Sequence, residues 1–226
     1  MRFSLLLLLP ALTWAADPYQ GRREKMVTEQ IEARGVRSAS VLQAMRDVPR
    51  HLFVPPDMAA QAYEDHPLPI GNGQTISQPY IVALMTELLE IKPQHQVLEI
   101  GTGSGYQAAV LARLAQKVYT IEIVRDLGGQ AARRLEKLGY KNVEVRIGNG
   151  YAGWPDQAPF DRIILTAAPP AIPQPLIDQL KPGGKLVAPV GGYFLGQDLV
   201  VLEKSTSGRI STRKVAPVAF VPMVNK

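Results

Sequence analysis

The feature that most constrains this chain is the run Val97-Leu98-Glu99-Ile100-Gly101-Thr102-Gly103-Ser104-Gly105-Tyr106. An apolar strand that ends in closely spaced glycines and passes straight into a helix belongs to an open α/β sheet. The carboxyl ends of such strands are where these sheets bind ligands. Gly101 permits the tight turn, Gly103 lets backbone approach a ligand closely, and Gly105 relieves crowding where the helix begins. Strand–helix alternation continues downstream. It predicts a helix over 106–115, a strand over 118–123, a helix over 125–138 and a strand over 143–147. A nearly all-apolar strand follows over 161–166, of the kind buried in a parallel sheet. A helix over 172–180 and strands over 185–190, 199–203 and 215–221 complete the pattern. The fold class is α/β: a doubly wound, mostly parallel Rossmann-like sheet with helices on both faces and antiparallel C-terminal strands.

The first ninety residues differ in texture. Periodicity predicts helices over 21–34, with Met26, Val27 and Ile31 on one face, and over 38–48, with Ser38 as N-cap. Pro49, Pro55, Pro56, Pro67 and Pro69 then mark a stretch read as mostly loop. The segment Gly71 to Gln78 is read as a loop feeding a helix that starts at Pro79 and runs to about Glu90. Ahead of all this, Arg2 and the apolar run Phe3 to Leu12 precede Thr13 and Ala15, which suit the −3 and −1 positions of a cleavage site. That is the pattern of a secretory signal, and it is too short to span a bilayer. The expected organisation is a signal over 1–15 and a single domain over 16–226. Within the domain, helices and a substrate loop occupy 16–90 and a cofactor-binding core 91–226. The expected location is periplasmic or secreted.

Glu122 lies about 20 residues past Gly101, at the end of the next strand, where an acidic side chain can accept hydrogen bonds from ribose hydroxyls. The loop is G-x-G-x-G, because Tyr106 stands where a dinucleotide fingerprint would have its third glycine. No G-x-x-x-x-G-K-[ST] phosphate loop is present. The acidic Glu99 inside the motif suits a cationic ligand better than a pyrophosphate. Together these favour S-adenosylmethionine over NAD.

Other chemistries are disfavoured. The chain has no cysteine, and its histidines, His51, His66 and His95, lack metal-ligand spacing, so no metal site is expected. Ser77 and Ser104 lack the G-x-S-x-G context of a hydrolase. The net charge of +5 is spread over isolated pairs such as Arg133-Arg134, so nucleic acid is not an expected partner.

The chain resembles the protein-L-isoaspartate O-methyltransferase family of class I methyltransferases. The resemblance rests on Val48-Pro49-Arg50-His51-Leu52-Phe53-Val54-Pro55, on Gly71 to Tyr80 and on Val97 to Tyr106. Thr166-Ala167-Ala168-Pro169, Leu180 to Gly184 and Phe220-Val221-Pro222 continue it. It covers essentially everything after the leader. It implies methylation of the free carboxylate of L-isoaspartyl residues in damaged proteins and peptides, with S-adenosylmethionine as donor. It also implies Ser77 as the active-site residue, with Thr75 and Ile76 bordering the cofactor beside Gly101, Thr102, Gly103, Ser104 and Gly105. Glu122 would hold the ribose and Asn149-Gly150 would border the adenine. Val221, Pro222 and Met223 would line the peptide groove. Asn149 departs from the Asp often found there, and the leader departs from the usual cytosolic pattern. A monomer without stable membrane association after cleavage is expected.

Such a reaction needs few catalytic groups. An isoaspartyl carboxylate, with a pKa near 3.9, reaches the site already ionised, so the main task is alignment. A hydroxyl that fixes one carboxylate oxygen would serve, and Ser77 is the candidate; at a helix start it is equally suited to capping free N–H groups. Two other readings stay open: a methyltransferase with a different substrate, and a non-catalytic binding module on the same fold.

Overall fold

The structure is a computed structural model that describes residues 17–192 and 196–225. The expected leader lies outside the described residues. Helix α1 (Gln20–Lys25) continues as a wide π-turn segment over Met26–Ile31 and a tight turn over Glu32–Arg34. The predicted helix is therefore present but changes pitch midway. Met26, Val27 and Ile31 are fully buried, and Gly35, at φ +100°, ends the segment. Helix α2 (Ala39–Asp47) is capped as expected, with Ser38 Oγ accepting from Val41 N at 3.4 Å.

The stretch read as loop contains a two-stranded ribbon. Strands β1 (Leu68–Gly71) and β2 (Gln74–Ile76) pair antiparallel across Asn72-Gly73, both at positive φ. An Asn-Gly pair is a strong hairpin signal, because only such residues take the doubly left-handed turn without strain. The ribbon delivers Ser77 to helix α3 (Pro79–Leu88).

The main sheet comprises β3 (Gln96–Ile100), β4 (Lys117–Glu122), β5 (Val143–Ile147), β6 (Phe160–Leu165), β7 (Leu180–Gly192), β8 (Gly196–Lys204) and β9 (Ile210–Val218). Helices α4 (Tyr106–Ala112), α5 (Arg125–Lys137) and α6 (Gln174–Asp178) connect its parallel part. The spatial order is β5-β4-β3-β6-β7-β8-β9. The first five strands are parallel, and β8 and β9 are added antiparallel. The chain winds outward from β3 through β4 to β5, then crosses back to lay β6 on the other side of β3. That reversal makes the carboxyl ends of β3 and β6 the switch point at which such sheets hold ligands.

Strand alternation divides the core. Val97 and Ile164 face a cluster with Tyr106, Val110, Leu135 and the N-terminal helices, while Leu98 and Ile163 face Trp154, Phe160 and Leu176 on the opposite side. Ile163, Ile164 and Leu165 of β6, which point to alternate faces, are all fully buried, which is why that run shows no alternation. Helix α6 is shorter than predicted. β7 and β9 begin earlier than predicted, as Pro182-Gly183-Gly184 lies inside β7 and the first half of β9 is exposed. One buried guanidinium ties α3 to the sheet. Arg162 on β6 donates to the carbonyls of Leu89 and Glu90 beyond the end of α3, so orphan helix-end acceptors gain a charged donor. Hydrogen bonds of that type contribute about 1.5–3 kcal/mol each. Among the described residues, no helix is long and apolar enough to cross a membrane.

Candidate active site

The carboxyl ends of β3, β4 and β6 open into a cleft, with Ile100, Ile121, Glu122 and Thr166 among its lining residues. The glycine loop forms its floor. Gly101 takes φ +102°, and a Cβ there would lie 2.4 Å from Thr166 Oγ1, so only glycine lets β3 turn beneath the start of the segment after β6. Thr166 Oγ1 sits 2.6 Å from Gly101 O and 3.0 Å from Ile100 O, which holds that turn in place. Thr102 and Ser104 also line the cleft, but their hydroxyls are engaged within the protein. Thr102 Oγ1 is 2.7 Å from Thr120 Oγ1, and Ser104 Oγ accepts from Tyr106 N at 3.3 Å. This part of the cleft therefore presents backbone to a ligand together with the Ser104 hydroxyl, which donates to no acceptor among the described residues. Gly105 does not line it. At φ +87° it packs under α5, where a Cβ would lie 3.2 Å from Leu135 Cδ1.

Glu122 closes β4 at the edge of the loop. Its Oε2 accepts from Gly103 N at 2.7 Å and its Oε1 from Val124 N at 2.9 Å. A carboxylate has about four acceptor positions, so each oxygen can still take a hydroxyl from the cleft side. Glu99 lies elsewhere. It is fully buried beneath the loop, beside Thr120 in the sheet register, and neither carboxyl oxygen has a hydrogen-bond partner. Burial, opposed by Thr120 and reinforced by the Glu122 charge, pushes its carboxyl up to about 8. At neutral pH it is therefore a buried neutral acid one layer below the lining.

At the far end Gly150 lines the cleft. A Cβ on it would lie 2.3 Å from Ile100 Cγ2 and 3.3 Å from Met223 Cε. Asn149 is turned away into a neighbouring recess. Its Oδ1 accepts from Tyr151 N at 2.9 Å, and its Nδ2 donates to Asn225 Oδ1 at 2.5 Å. Both amide functions are thus used within the protein. The roof is the C-terminal segment, where Val221, Pro222, Met223 and Val224 line the cleft. Backbone bonds from Ala168 N to Val221 O (2.9 Å) and from Met223 N to Ala168 O (2.8 Å) hold it. Gln197 adds a clamp on both backbone groups of Phe220.

The ribbon and α3 form the remaining wall, with Thr75, Ile76 and Ser77. The N-cap of α3 is Gln78, and no side chain caps the helix. The capping role open to Ser77 from sequence is therefore not the one it plays. Half-buried at the cleft wall, its hydroxyl is available to a ligand.

A model of the protein-L-isoaspartate(D-aspartate) O-methyltransferase family matches residues 21–226. The chain belongs to this family. A protein-L-isoaspartate O-methyltransferase 1 of Nitrosospira multiformis is 56% identical over 211 residues, covering 92% of this chain and 89% of the relative. A protein-L-isoaspartate O-methyltransferase 2 of a Polaromonas species is 60% identical over 186 residues, covering 82% and 88%. A solved protein-L-isoaspartate O-methyltransferase superposes with a TM-score of 0.81 at 29% identity, covering 90% of this chain and 66% of that longer one. A Plasmodium falciparum structure described as this methyltransferase in complex with S-adenosyl-L-homocysteine gives 0.77 at 25% identity, covering 89% and 98%.

In this member of the protein-L-isoaspartate O-methyltransferase family, the cleft gathers most residues singled out from sequence and leaves Glu99, Gly105 and Asn149 outside its lining. It also adds Gln74, Val82, Gln107, Thr166 and Val224. Thr166 closes the turn behind Gly101, and its position just past a buried strand was the available signal. Gln107 follows the motif by one residue but looks like ordinary helix in sequence.

Proposed function

We infer that the protein transfers the methyl group of S-adenosylmethionine to the free carboxylate of L-isoaspartyl residues in damaged proteins and peptides. Membership of the methyltransferase family over residues 21–226 is the observation that carries this reading. The cleft fits the cofactor. Glu122 offers open acceptor positions to ribose hydroxyls, Gly150 seats its backbone against Ile100 and Met223 where a Cβ would clash, and the glycine loop brings backbone to the cleft at Gly101 and Gly103.

When bound, the cofactor supplies an electrophilic methyl group on a sulfonium. Every other requirement falls on the chain. Ser77 holds one oxygen of the substrate carboxylate, so that the other faces the methyl carbon; no general base is needed, because the carboxylate is already ionised. The C-terminal segment Val221 to Met223 borders the peptide and excludes water, which strengthens the attraction between anionic nucleophile and cationic donor. Asn149 borders the adenine end, where its Oδ1, which takes Tyr151 N, keeps a second acceptor position.

The enzyme acts as a monomer, and the leader directs it out of the cytoplasm. The apolar run from Phe3 to Leu12 and the small residue Ala15 support that location. Methyl-ester formation on an isoaspartyl peptide, measured beside its aspartyl twin, tests the reaction itself.

A further inference from the structure

The chain contains two Asn-Gly pairs, Asn72-Gly73 and Asn149-Gly150. Asparagine ahead of glycine is chemically labile, because a residue without a side chain lets its backbone nitrogen close onto the asparagine side-chain carbonyl. The structure separates the two pairs. Asn149 is held at both ends of its amide, with Oδ1 accepting from Tyr151 N at 2.9 Å and Nδ2 donating to Asn225 Oδ1 at 2.5 Å. Asn72 and Gly73 are exposed at the tip of the ribbon, and a Cβ on Gly73 would meet nothing within 4 Å. Among the described residues, Asn72 is engaged through its backbone carbonyl, which accepts from Gln74 Nε2 at 3.5 Å, and its side-chain amide has no protein partner. The ribbon that carries this tip is short and stands apart from the seven-stranded sheet. A two-stranded hairpin is marginal by itself, so its turn opens locally. Opening releases Asn72 from its left-handed turn at φ +53° and lets the Gly73 nitrogen swing to the side-chain carbon.

We propose that Asn72 is a spontaneous modification site through which a copy of the enzyme loses activity and becomes a substrate for an intact copy. The Gly73 nitrogen bonds to Asn72 Cγ, the Cγ–Nδ2 bond breaks, and ammonia leaves with the proton of the attacking nitrogen. Water then opens the five-membered imide at the main-chain carbonyl. The chain now runs through the former side chain, and the α-carboxylate is free. The extra methylene lengthens the turn. Turn type and loop length fix hairpin register, and here Leu68 pairs with Ile76 and Pro69 with Thr75 across that turn. Thr75, Ile76 and Ser77 line the cleft, so the longer turn displaces the wall assigned to the substrate carboxylate. Asn72 and Gly73 lie outside the lining of their own cleft, so the methyl group comes from another molecule. Its transfer forms an O–C bond on the free carboxylate as the sulfonium C–S bond breaks. The Gly73 nitrogen then displaces methanol to regenerate the imide, part of which opens to aspartate, a residue that suits the turn. This rests on the methyl-transfer reading above.

Ageing the whole protein in mildly alkaline buffer without cofactor, followed by peptide mapping, tests the site. Isoaspartate should accumulate at Asn72 well before the peptide holding Asn149 changes. Activity on a synthetic isoaspartyl peptide should fall in step with that modification. The Asn72→Gly variant keeps a residue suited to positive φ and cannot form the imide, so it should begin at parental activity and hold it through the same ageing. Fresh enzyme given labelled S-adenosylmethionine should place methyl on the ribbon peptide of aged parent and none on that of unaged parent. An unmodified Asn72 after ageing, or equal losses of activity in parent and Asn72→Gly, would overturn the proposal. So would isoaspartate at Asn72 that fresh enzyme leaves unlabelled. Failure of fresh parent enzyme to methylate the synthetic isoaspartyl peptide would instead remove the methyl-transfer reading on which the proposal stands.

Discussion

The backbone N–H of Gly103 donates to the Glu122 carboxylate at 2.7 Å, so the acidic end of β4 and the glycine loop after β3 form one unit. The same side chain takes Val124 N at 2.9 Å. Replacing Glu122 by Gln puts an amide N–H against one of these donors and removes charge from the ribose contact. Cofactor affinity should fall by about ten-fold or more, given roughly 1.5–3 kcal/mol for a charge-assisted hydrogen bond. Calorimetry on a folded Glu122→Gln variant with parental affinity would take Glu122 out of the site.

Gly150 tests the shape of the far end. A Cβ there would lie 2.3 Å from Ile100 Cγ2, on a strand that cannot move away, and 3.3 Å from Met223 Cε. Overpacking of this kind costs about 1–3 kcal/mol, and a domain this size loses about 2–4 °C of Tm per kcal/mol. The Gly150→Ala variant should melt several degrees lower and bind the cofactor more weakly. A parental melting curve with parental affinity would show that the contact relaxes freely.

Glu99 should leave a signature in the pH dependence of stability. Its carboxyl is raised by burial to about 8 from an ordinary value near 4.5. Between those values the folded state keeps a proton that the unfolded chain has lost, so stability is full below the ordinary value and declines as pH rises toward 8. The Glu99→Gln variant removes that decline. The difference in Tm between variant and parent, measured without cofactor, should therefore grow in the variant's favour from pH 5 to pH 8. A difference that stays constant over this range would mean that Glu99 titrates normally.

Much of this was legible in the sequence, for identifiable reasons. The parallel core follows from apolar runs such as Val97-Leu98 and Ile163-Ile164-Leu165, whose burial on both faces is written directly in their composition. Glu122 was visible because an acidic residue closes an otherwise apolar strand. The ribbon β1–β2 was hidden by prolines around a short pairing, although Asn72-Gly73 announced its turn. β9 was underestimated because Ser211, Thr212, Arg213 and Lys214 are exposed on the sheet edge and carry no apolar alternation. The setting of Gln107 was not legible, because it depends on a hydroxyl in α3 that only the packed structure brings near.

Export makes a separate prediction. Native protein should begin at Ala16, after cleavage behind Ala15, and should be recovered outside the cytoplasm. Mass analysis of the intact native protein decides it, since an uncleaved chain starting at Met1 in the cytosolic fraction would return the enzyme to the family's usual location.

Ser77 and the substrate carboxylate are the centre of the account. The Ser77→Ala variant should lose kcat while keeping cofactor affinity, because the hydroxyl is assigned to the carboxylate and not to the nucleoside. The most direct measurement pairs two peptides that differ only in whether one residue is L-isoaspartyl or L-aspartyl. Their carboxylates differ in placement by about one methylene, and a misplacement of about 1 Å can cost 10²-fold in rate. The enzyme should form a methyl ester on the isoaspartyl peptide and almost none on its twin; equal rates on the two peptides would contradict the assignment.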